Sequence, residues 1–107
     1  MQCLTVICNM PDQDSALRLA RVLLDEHLAA CVNVLAPCQS VYRWQGQIEL
    51  AQEVPLLIKT VRAHYPALEA RLLELHPYEV PEIIALPIQA GLPAYLRWVV
   101  DECNSRG

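Results

Sequence analysis

A chain of 107 residues is long enough for one domain with its own core, and 54% hydrophobic residues with no Phe point to an aliphatic interior. A formal charge of -4 argues against nucleic acid or an anionic membrane as main partner, because both demand a basic face. No segment is apolar for long enough to cross a bilayer, and Met1 to Ile7 lacks the basic residues and apolar length of a signal peptide.

Residues Cys3 to Cys8 form a short β-branched run ending at Asn9-Met10-Pro11-Asp12, which predicts a first, central strand. Pro11 and Asp12 then open a helix. Ala16, Leu19, Ala20, Leu23 and His27 fall on one of its faces, with Asp14, Arg18, Arg21 and Asp25 on the other.

Ala30 to Val61 reads as one long β-hairpin turning at Trp44-Gln45-Gly46-Gln47. Every second residue of the first arm is apolar through Ala30, Val32, Val34, Ala36 and Cys38, and again at Tyr42 and Trp44. The second arm repeats the alternation with Ile48, Leu50, Val54, Leu56 and Ile58 against Gln47, Glu49 and Glu53. A three-residue loop placing Tyr42 opposite Ile48 would keep the two faces separate, so that register is expected. Pro37 and Pro55 cannot donate to a ladder and should mark a bulge, a bend or an edge. Arms of some fifteen residues span roughly 50 Å at about 3.3 Å each. A compact chain of this size is only about 35 Å across. The hairpin should therefore protrude, leaving Tyr42, Trp44 and Ile48 to find cover on sister copies.

His64-Tyr65-Pro66 starts a second helix whose buried stripe is Leu68, Leu72 and Leu75, and it stops at His76-Pro77. Ile83 to Ile88 is a continuous apolar run of the kind found in buried strands. Gly91-Leu92-Pro93 opens a third helix with the stripe Leu92, Tyr95, Leu96, Val99 and Cys103, while Trp98 at its border reads as packing. The order β-α-β-β-α-β with an added C-terminal helix predicts a single α+β domain over residues 1–107. Its fold is the ferredoxin-like split βαβ arrangement, an antiparallel sheet with helices on one face. The other face would be bare, which again points to self-association.

Five cysteines, at positions 3, 8, 31, 38 and 103, form no C-x-x-C pair; a reducing cytoplasm is expected rather than a secreted disulfide framework. The fold alone does not name a function. No aromatic on the first strand and no basic surface speak for RNA, and no nucleophile–base pair or organic-cofactor motif speaks for an enzyme. The richest loop is His76-Pro77-Tyr78-Glu79-Val80-Pro81-Glu82, stiffened by two prolines. His76 there either complements a helix dipole or contacts a ligand. Cys8, expected at a strand end just before a helix N-terminus, is either a lowered-pKa thiol or a packing residue. Lys59 is either a snorkelling lysine or the contact of a small anion.

Leu28 to Asn33, Ser40 to Gly46, Leu57 to Thr60 and His76 to Glu82 resemble the CutA divalent-cation-tolerance family, as do Cys8 to Asp12 and Tyr95 to Trp98. The Tyr-x-Trp-x-Gly turn and the His-Pro-Tyr-x-x-Pro-Glu loop are the most specific parts. The resemblance implies a homotrimer similar to the PII signalling proteins, with neighbouring hairpins packed together, and a role in tolerance of copper or other divalent cations. It also implies metal positions at Cys8 and His76, to which Glu82 or Glu79 would add a carboxylate. Lys59, Tyr78 and Glu79 are the further candidate contacts of a ligand cleft between subunits, and Tyr42, Trp44 and Ile48 are expected at the oligomer interface. Some members carry two adjacent histidines where Leu75-His76 stands here. Two functions follow: a cytoplasmic trimer binding a divalent metal or small ligand, or a structural or signalling trimer that docks a partner protein.

Overall fold

The computed structural model describes residues 2–104. Strand β1 (Cys3–Met10) is followed by helix α1 (Gln13–Asp25), strands β2 (Cys31–Val34), β3 (Cys38–Trp44) and β4 (Gln47–Val61), helix α2 (Tyr65–Leu75), strand β5 (Ile83–Pro87) and helix α3 (Pro93–Asn104). The sheet runs β2-β4-β1-β5 with β3 extending along β4, so β1 is central, as its apolar run predicts. The ladders β1–β4, β1–β5, β2–β4 and β3–β4 are all antiparallel.

Residue parity divides the sheet. Val6, Cys8 and Met10 of β1 and Val54, Leu56 and Ile58 of β4 face α1 and α2, which insert Ala16, Leu19, Ala20, Leu23, Leu68 and Leu72 among them. Each large side chain fully buried there contributes about 1.5–3 kcal/mol. Cys3 and Val61 have the opposite parity and pack under Val99 and Cys103 of α3 at the far end of the second face. The middle of that second face carries Ile7, Leu57, Ile84 and Leu86 and has no helix over it; Ile84 and Leu86 are 48% and 49% exposed.

Several helix boundaries follow from local chemistry. Asp12, rather than Pro11, caps α1, its Oδ1 accepting from the Ser15 amide at 2.8 Å. His27 lies beyond α1 instead of on its buried face, with φ 58. Its Nδ1 donates to the Glu102 carbonyl at 3.1 Å, and His64 Nε2 donates to the Cys103 carbonyl at 2.7 Å. Two carbonyls that the last turn of α3 leaves free are satisfied in this way.

The hairpin corrects the expected register. Trp44 pairs with Gln47, Arg43 with Ile48 and Tyr42 with Glu49, so the turn holds two residues, not three. Gln45 and Gly46 both take positive φ, 51 and 80, the type I′ geometry whose twist matches the flanking strands. Turn chemistry outweighs face separation because this part of the ribbon has no core on either side. The single apolar face expected from Ala30 to Trp44 is also broken. Val34 pairs with Leu56 but Cys38 with Glu53, so the first arm advances one residue more than the second across Leu35-Ala36-Pro37. This bulge turns Val32 and Val34 toward the helices and Tyr42 and Trp44 toward the other face. Ile48 consequently shares a face with Arg43 and Val41, not with Tyr42 and Trp44. Pro37 sits in the bulge itself. Pro55 accepts from the Leu35 amide at 2.9 Å, so its missing N–H falls where the ladder is already interrupted. The molecule measures 44 × 27 × 24 Å, longer in one direction than the about 35 Å of a compact chain of this size.

Three smaller corrections concern the apolar stripes. Leu75 ends α2 half exposed, because the helix stops before the stripe returns to the core. Residues 83–87 form an edge strand, not a strand buried on both faces, so their apolar run supplies the open second face. Leu92 precedes α3 and is largely exposed, and Trp98 packs chiefly on Tyr95, with ring centroids 5.7 Å apart.

Candidate functional site

The end of β1 lies between the base of the hairpin and the loop entering β5. Because β1 continues two residues past Cys8, Asn9 pairs with Pro55 and points to the open face of the sheet. Its Nδ2 donates to Glu82 Oε1 at 3.2 Å and, more weakly, to Glu53 Oε1 at 3.4 Å. Tyr78, Glu79 and Val80 close one side of a cleft of about 630 Å³ over this pair, and Ser40, Val41, Tyr42 and Trp44 of β3 close the other. Glu53 is the innermost acid, 9% exposed. Burial first, and next the negative charge of Glu53, hold the Tyr78 hydroxyl above its ordinary value. The cleft is therefore acidic and aromatic on its hairpin wall, and among the described residues no Lys, Arg or His lines it.

The three residues expected to share a metal do not meet in that way. Cys8 has the helix-side parity and is 0% exposed, whereas Glu82, beside Asn9, is on the open face. Burial, reinforced by the charges of Glu82 and Glu53, pushes the Cys8 thiol up to about 12, the reverse of the lowering expected from a helix N-terminus. His76 uses both ring nitrogens internally: Nε2 donates to the Asn9 carbonyl at 2.6 Å and Nδ1 accepts from the Tyr78 amide at 3.1 Å. Its ring also lies 4.8 Å from that of Tyr78. Within one chain the Cys8 thiol thus lies in the core and both ring nitrogens of His76 are engaged with the main chain. Among the described residues no group of three His, Cys, Asp or Glu is placed to share a metal ion.

Of the expected cleft residues, Tyr78 and Glu79 line the cleft and are joined by Glu82. Lys59 does not. It pairs with Thr5, four residues along β4 from Pro55, or about 13 Å at 3.3 Å each, and its Nζ is held by Asn33 Oδ1. Asn9 and Glu53 were not legible as site residues. Glu53 reads as one more solvent-facing acid of the second arm; its one distinguishing signal is the position next to Val54, where the buried half of β4 begins.

The chain is thus an antiparallel ferredoxin-like domain with a hairpin extending along β3 and β4 and an acidic cleft at the hairpin's base. The family model of the CutA1 divalent ion tolerance protein matches residues 4–102. The divalent-cation tolerance protein CutA of Thermus thermophilus is 46% identical over 94 residues, 88% of this chain and 91% of its own. The crystal structure of CutA from Xylella fastidiosa superposes with a TM-score of 0.93 at 46% identity, covering 97% of this chain and all of its own. A protein described as the periplasmic divalent cation tolerance protein CutA, from Archaeoglobus fulgidus, superposes with a TM-score of 0.92 at 32% identity, covering 95% and 99%. The chain belongs to the CutA1 divalent ion tolerance family.

Proposed function

We propose that this protein is a homotrimeric, non-catalytic binding protein serving divalent-cation tolerance, with the cleft between Asn9, Glu53, Glu82 and the hairpin as its ligand site. The observation that carries the reading is Glu53, an acid nine-tenths buried at the floor of a cleft in which no basic residue among those described lies beside it. Such a site favours a positively charged ligand. Its accessible donors are oxygens, which do not single out copper, a metal better held by imidazole and sulfur. Trimer formation is supported by the open apolar patch of Ile7, Leu57, Ile84 and Leu86, continuous in parity with the Tyr42 and Trp44 side of the hairpin. Free thiols at all five cysteines suit a reducing cytoplasm.

Isothermal titration of manganese, zinc and copper into the wild-type protein and into Glu53→Gln tests the site. Binding that weakens at least tenfold in the variant supports it, and identical heats remove Glu53 from it. Sedimentation equilibrium tests the assembly: a species three times the 12.0 kDa chain is expected. A folded single chain at micromolar concentration would refute the trimer.

A further inference from the structure

We draw no further inference here: the strongest candidate, the largely apolar groove between the start of α2 and edge strand β5, where Leu4, Tyr65, Pro66, Ile83 and Ala85 meet, carries none, because nothing in the structure shows what covers it.

Discussion

The Nε2 of His76 donates to the main-chain oxygen of Asn9 at 2.6 Å, tying the end of α2 to the end of β1. With Nδ1 accepting from Tyr78, the ring is a two-sided brace that fixes where Asn9 and the Tyr78–Glu82 loop meet. Replacing His76 by Ala strands the Asn9 carbonyl and the Tyr78 amide in a nearly buried position. A loss of about 1–3 kcal/mol is expected in urea unfolding. Divalent-ion heats corrected for the folded fraction should not change. A metal affinity that falls while stability holds would instead make His76 a ligand.

The turn residues set the hairpin register, so they should set its stability as well. A Cβ at Gly46 meets nothing within 4 Å, but φ there is +80. Gly46→Ala therefore costs backbone strain alone, roughly 1–2 kcal/mol. Gln45→Asn should raise the thermal midpoint, since Asn tolerates the positive φ that Gln45 adopts. Unchanged melting for both variants would mean that the register is held elsewhere.

Cys8 should behave as an inert core thiol. Iodoacetamide at pH 8, followed by peptide mass analysis, should label the exposed Cys38 and spare Cys8. Folding raises the Cys8 value from 9.0 to about 12, so the unfolded chain releases its proton first as pH rises. The stability this proton contributes is complete below about pH 9 and is lost between there and about pH 12. Tyr65, held up to about 12 by burial and by Glu69, acts in the same sense from its ordinary 10.0 upward. The fall of unfolding free energy from pH 9 to 12 should therefore be shallower in Cys8→Ala than in the wild type, whatever the variant's stability at neutral pH.

Asp12 governs the acid side. The Ser15 backbone hydrogen bond, then the Ser15 side chain, hold its carboxyl below the usual 3.8. The folded state thus favours the ionised form; the stability gained is present above about pH 3.8 and is lost as pH falls through the lowered folded value. Asp12→Asn keeps the capping acceptor and should flatten this acid dependence, whereas Asp12→Ala should also lower the melting temperature at pH 7. Superimposable acid titrations for wild type and Asp12→Asn would dissociate the cap from the pH response.

Much of the fold was open to reading from spacing because each helix repeats its apolar residues on one stripe and each ladder alternates. Ala16, Leu19, Ala20 and Leu23 are buried as their period requires, and Leu68 and Leu72 likewise. The hairpin's reach also followed from its residue count. The candidate cleft was half legible: the rigid loop announced Tyr78, Glu79 and Glu82, but Cys8, singled out by its place before a helix N-terminus and by the family resemblance, and Lys59, by its place late in the hairpin, do not line it.

The amino-acid order by itself determined the elements, the protruding ribbon and the family, since these depend on local periodicity and on contiguous motifs. Only the tertiary structure decided which face each side chain occupies. One extra residue at Leu35-Ala36-Pro37 inverts the parity of β3, and Asn9, one residue past Cys8 on β1, faces the opposite side. In a sheet a single-residue step exchanges core for cleft. Glu53 became a buried acid beneath the hairpin, and Cys8 a core thiol, through steps that no alternation pattern in one strand records.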